Sequence, residues 1–139
     1  MHEGETIVVE RLRIAWKDSL SVFALGGMPK PIKAIISHII SQGYDQVFVP
    51  SSSLYTLLIS VPIDNKVNYF YTLRVWYDEQ IQTIKFRFVQ KKADEKMDSV
   101  DTRLTKWEET CQASEGIVIL EEFLNSNNVF RDAIIQFRK

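Results

Sequence analysis

Residues 67–77 read VNYFYTLRVWY, five aromatic side chains and one arginine in eleven positions. A strand alternates its side chains between two faces. Tyr69, Tyr71, Leu73, Val75 and Tyr77 then point one way, and Phe70, Thr72, Arg74 and Trp76 the other. The first set is apolar or aromatic throughout and the second is mixed. That is the pattern of a strand with one face on a core.

The same period of two extends to both sides. QVFVP (46–50), LYTLLISVPI (54–63) and IQTIKFRFVQ (81–90) flank it, separated by SSS, DNK and DEQ. Short polar connections between alternating runs predict a four-stranded antiparallel meander over about 46–90. If each connection is a tight loop, Pro50 faces Leu54 and Val49 faces Tyr55. Ile63 then faces Val67, Ile59 faces Tyr71, Tyr77 faces Gln80, Leu73 faces Ile84 and Tyr71 faces Phe86. These registers gather Val47, Val49, Tyr55, Leu57, Ile59, Val61, Tyr69, Tyr71, Leu73, Val75, Ile84, Phe86 and Phe88 on one face, which a slip by one residue would scatter. The opposite face carries Phe48, Leu54, Thr56, Leu58, Ser60, Phe70, Thr72, Arg74, Trp76, Ile81, Thr83, Lys85 and Arg87. It is half polar, with an apolar end at Leu54, Trp76 and Ile81.

Helical periods surround the strands. Val8, Leu12, Ala15, Trp16, Leu20 and Phe23 share one side of a helix over 5–25 that stops at Gly26–Gly27, although the β-branched TIVV start also suits a strand. Pro31, the stripe Ile32, Ile35, Ile36, Ile39 and Ile40, and Gly43 mark a helix over 31–42. Met97, Val100, Leu104, Trp107 and Cys111 predict a helix over 94–112, whose narrow stripe serves either internal packing or a homodimer seam. Ser114 is placed to cap a further helix with Ile117, Leu120 and Leu124 aligned. Phe130, Ile134 and Phe137 are helically spaced, yet the last half of 127–139 equally suits a short strand. The expected fold is a single α+β domain over 1–139, with helices covering the apolar face of the sheet.

Composition narrows the function classes. The chain is 45% hydrophobic and 25% charged, values of an ordinary globular domain rather than a disordered one. A net charge of −1 supplies no global attraction to phosphate backbones or anionic membranes. The N-terminal acids Glu3, Glu5 and Glu10 do not suit a signal peptide, and no apolar run approaches the ~20 residues of a membrane span. One cysteine, Cys111, allows no internal disulfide and suits a reducing, cytoplasmic setting.

No motif fixes a chemistry. The two histidines, His2 and His38, and the single cysteine match no zinc spacing or nucleophile–base pairing. The triple serine at 51–53 lacks the glycines of a nucleophile elbow. LGGMPKP has neither phosphate-loop nor dinucleotide spacing. The acidic pairs at 78–79, 94–95, 108–109 and 121–122 suit turns and solvated helix faces. No cofactor or metal is expected.

The open sheet face remains. Tryptophan, arginine and apolar neighbours favour protein interfaces. The expectation is a non-enzymatic protein-binding module, an adaptor, chaperone or inhibitor, acting through Leu54, Phe70, Arg74, Trp76, Ile81 and Arg87. The alternatives are a single-stranded nucleic-acid module, with Phe70 opposite Arg87, Arg74 opposite Thr83 and Trp76 opposite Ile81, and a small enzyme with a carboxylate site.

Overall fold

A computed structural model describes residues 2–22, 29–53, 55–90 and 105–139. Helix α1 (Val9–Val22) begins later than the sequence pattern suggests. Residues before it take the strand alternative of the β-branched start. Thr6 bridges Lys66, Ile7 N donates to Asn65 O, and Val67 N donates to Glu5 O. Leu12 and Trp16, one turn apart on α1, are both fully buried, and Trp16 Nε1 donates to Phe48 O at 2.9 Å. Helix α2 (Lys30–Ser41) starts at its prolines and buries Ile32, Ile35, Ile36 and Ile39. Gly43, at φ +79°, ends it in the left-handed conformation that glycine adopts without strain.

The sheet has five antiparallel strands in sequence order: β1 (Val49–Ser53), β2 (Thr56–Ser60), β3 (Tyr71–Asp78), β4 (Thr83–Gln90) and β5 (Thr105–Gln112). The α+β meander is present, with one strand more than expected. The fifth replaces the last part of the helix expected over 94–112; residues 91–104 lie outside the described residues. Trp107 and Cys111 are four apart, a spacing that puts them on one face of a helix or of a strand alike. As a strand they cover β4, where Trp107 packs against Phe86 and Phe123, and Cys111 is buried opposite Ile84. Both side chains thus pack within the chain.

Each expected register is displaced. Between β3 and β4, Leu73 faces Phe88 and not Ile84. The connection is a four-residue turn over 79–82, in which Gln82 adopts φ +53° and Gln80 N donates to Asp78 Oδ1. Between β2 and β3, Ile59 faces Leu73 and not Tyr71. There Asp64 and Asn65, both at positive φ, make a two-residue turn closed by reciprocal bonds between Ile63 and Lys66. Both displacements are even, so the division into faces survives. Between β1 and β2 the displacement is odd. Val49 faces Ser60 and Ser53 faces Thr56, so the serine run is strand and not loop. Val49 consequently leaves the helix-covered face.

The main core joins Trp16, the four isoleucines of α2, Val47, Phe48, Leu57, Ile59, Leu73, Val75, Ile84, Phe86 and Phe88 to α3 (Gly116–Ser126) and α4 (Asn128–Arg138). Phe48, expected on the open face, is fully buried here. Its ring lies 5.2 Å from that of Phe130. Tyr55, expected in the core, is 63% exposed. Tyr69 and Val49 belong instead to a small second cluster with Leu12 and Val67. Residues 128–138 are helix throughout; the Asn127 side chain caps α4 by accepting from Val129 N and Phe130 N. Ser114 lies in a 3-10 turn ahead of α3 and does not cap it.

Candidate functional site

The side chains of the main core alternate along β2, β3 and β4 with Leu58, Arg74, Trp76, Lys85 and Arg87, which therefore project to the other face. On that face the second apolar cluster closes one end around Val49. Beside it Ser60 Oγ and Thr72 Oγ1 are 2.8 Å apart, and Thr72 donates to Tyr69 O. The rest of the face sets charged side chains and Trp76 among Leu58, Thr83 and Val89.

Its centre is a like-charge pair. Arg74 stands directly opposite Arg87 in the β3–β4 register, and Trp76 opposite Lys85. The Arg87 guanidinium lies over the Trp76 ring, with Cζ 5.4 Å from the centroid. Glu108 on β5 faces Arg87 and brings Oε1 to 2.8 Å of its Nε, although the N–H is not aligned for a hydrogen bond. Lys85 Nζ lies 3.8 Å from Asp78 Oδ2. Arg74 has no ion pair among the described residues, and its Nε is buried without a hydrogen-bond partner. Burial, with the Arg87 charge behind it, pushes the Arg74 pKa below the usual guanidinium value.

The sequence-derived site is only partly assembled. Arg74, Trp76 and Arg87 come together. Leu54 lies outside the described residues. Phe70 precedes β3, half-buried and packed edge-on against Tyr71 at 4.8 Å, and does not face Arg87. Ile81 is 58% exposed at the tip of the β3–β4 turn and does not face Trp76. Both corrections follow from the four-residue turn, which slides β4 along β3 and changes every partner while preserving each face. At that turn, Tyr55, Trp76, Tyr77, Asp78, Glu79, Gln80 and Pro29 line an open groove of about 560 Å³.

Sequence reasoning missed Glu108, hidden by the helical reading of β5. It also missed a half-buried polar cluster on the helical side. There His38 Nε2 lies 2.8 Å from Glu121 Oε1, and Tyr44 OH donates to both Glu121 carboxylate oxygens at 3.0 Å. Burial and the Glu121 carboxylate raise the Tyr44 pKa. The cluster ties α2 to α3; only the tertiary packing brings residues 38 and 121 together.

Among the described residues no three His, Cys, Asp or Glu side chains are grouped to hold a metal ion. No described helix is long and apolar enough to cross a membrane. No protein-family model, curated protein or solved structure matches the chain.

Proposed function

We propose that this chain is a non-enzymatic protein-binding module that docks its partner on the open face of the sheet. One observation carries the proposal: Trp76, Arg74 and Arg87 share a sheet face opposite to the one packed by the helices. Tryptophan and arginine dominate the energetics of protein interfaces because each offers a large, rigid contact area with a polar handle. Exposed Tyr55 and Ile81 extend apolar area toward the same end. The edges of the sheet favour the face over strand addition. Pro50 lies in β1, and β5 carries exposed Lys106, Glu108 and Glu109.

Nucleic acid suits this face less well. Among the described residues only one aromatic ring, Trp76, lies beside the arginines, and Arg87 already covers it. Asp78 and Glu108 repel a phosphate chain. A cytoplasmic setting is part of the same proposal, supported by the single, free thiol of Cys111 and testable by cell fractionation.

The test is affinity capture from native cell extract with wild type, Trp76→Ala and Arg74→Glu, followed by binary binding of the purified partner. Both variants are expected to keep the circular-dichroism spectrum and to lose the partner. Capture that persists in a folded Trp76→Ala protein defeats the proposal, and so does unfolding of that variant, because Trp76 would then be core. Light scattering separates a second copy of the chain from a different protein as the occupant.

A further inference from the structure

We infer, resting on the protein-binding reading above, that the partner segment is extended and carries a single aspartate or glutamate at Arg74–Arg87 and an apolar residue two positions away at Trp76; Asp78, Glu79 and Glu108 around them disfavour a run of acids.

The charge argument begins with the register. Two guanidinium groups opposed across an antiparallel pair repel each other, and sheets ordinarily avoid this arrangement. Here only one is compensated. Glu108 reaches Arg87 from β5, which shows that a carboxylate is compatible with this face. Arg74 has no such partner among the described residues, and its inward Nε–H meets no acceptor. A carboxylate has about four lone-pair directions and accepts from two guanidinium groups at once. One acidic side chain between the two arginines would accept from their outer guanidinium N–H groups and offset the repulsion.

The spacing argument comes from the strand. Arg74 and Trp76 are two residues apart on the same face of β3, about 6.8 Å along an extended chain. A partner strand laid along β3 repeats that spacing, so an acidic residue over Arg74 places its second neighbour over Trp76. Beyond Trp76 lies the groove lined by Tyr55 and Tyr77, which has room for an aliphatic side chain. A lone phosphate satisfies the arginines and leaves this apolar end unused; an acidic–x–apolar peptide uses both.

The test follows backbone amide shifts by NMR while a blocked nonapeptide of serine and glycine is added. The peptide carries one glutamate and, two positions on, one leucine. Controls replace the glutamate by glutamine or move the leucine next to the glutamate, and decathymidylate is a separate arm. Saturable shifts are expected at residues 72–76 and 85–89. Affinity should fall at least tenfold for the glutamine peptide and with Arg74→Gln, fall for the displaced leucine, and rise with Glu108→Gln, which frees Arg87. Equal binding of the glutamine peptide, no shifts at these amides, or tighter binding of decathymidylate overturns the inference. If Trp76→Ala still abolishes partner capture in that case, the protein-binding reading stands and only the acidic chemistry is wrong. If capture survives Trp76→Ala, both fall.

Discussion

Replacing Arg74 by methionine should make the protein more stable. Methionine retains most of the apolar stem that packs on the sheet and discards the guanidinium. Two unfavourable contributions go with it. A like charge directly across an antiparallel pair costs up to about 1 kcal/mol. A buried donor without an acceptor costs about 1–3 kcal/mol when fully desolvated, and only part of that applies to a half-buried side chain. No ion pair among the described residues is lost in exchange. The expected net gain is about 1 kcal/mol, or roughly 3–4 °C in melting temperature for a chain of this size. Arg87→Met behaves differently. It relieves the same repulsion and removes the buried, misaligned Nε–H of Arg87, but loses the Glu108 contact, worth about 0–1 kcal/mol, and the Trp76 stacking, worth about 0.5–1 kcal/mol. Its expected effect runs from neutral to a loss of about 1 kcal/mol. In the Arg74→Met background Arg87→Met should cost more than in wild type, because no repulsion remains to relieve. Urea unfolding followed by circular dichroism measures all four proteins, with unchanged slopes as the condition for comparing midpoints. Added salt should shrink the coupling as the charges are screened. A loss of 1 kcal/mol or more in Arg74→Met, or strict additivity in the cycle, would refute the reasoning.

Other expectations concern the core that holds this face in place. Trp16→Phe removes the bond to Phe48 O and leaves a buried carbonyl without its partner, for a loss of about 1–3 kcal/mol in urea unfolding. Gly116→Ala puts a methyl carbon 2.6 Å from Ile84 Cδ1 and 3.4 Å from Ile35 Cδ1, at the start of α3. Overpacking of about 1–3 kcal/mol should outweigh the helix-propensity gain of up to about 1 kcal/mol, and Ile84→Val, which removes that Cδ1, should suppress the defect. A Gly116→Ala protein as stable as wild type would show that the isoleucines move aside. Burial, then Glu115 and Glu109, raise the Cys111 pKa, so the folded thiol keeps its proton above the ordinary thiol value of about 8.5. The unfolded chain sheds that proton first, so this contribution is complete below about pH 8.5 and is lost as pH rises further. Alkylation of native protein at pH 8.5 should accordingly be slower than in urea, whereas equal rates would show an accessible, ordinary thiol.

The faces of the sheet were legible before its partners were. Alternation in VNYFYTLRVWY separates Leu73 and Val75 from Arg74 and Trp76 whatever the register, because any even displacement conserves the side on which each residue lies. The expected partners of Arg74, Trp76 and Arg87 were wrong for the same reason: nothing in the alternation distinguishes a two-residue turn from a four-residue one. The odd displacement of β1 had larger consequences. It moved Val49 away from the main core, and Phe48 packs there from just ahead of the strand. Trp107 and Cys111 were read as helical because a separation of four satisfies both periods. The edge of β4, with Phe86 and Phe88 to cover, decided for a strand.

By itself the amino-acid order determined the α+β class, the helices around the α2 isoleucines, the meander and the two-faced character of its third strand. These are local, since a side-chain period depends only on neighbouring residues. Tertiary structure alone decided which charges meet. Arg74 opposes Arg87, Glu108 reaches Arg87 from a fifth strand, and Glu121 joins His38 across 83 positions of chain. Such contacts depend on turn geometry and on the competition of distant segments for the same edge and core, which no local period records. The aromatic run thus contributes one tryptophan to the open face, and the arginine beside it acquires its meaning from a residue on another strand.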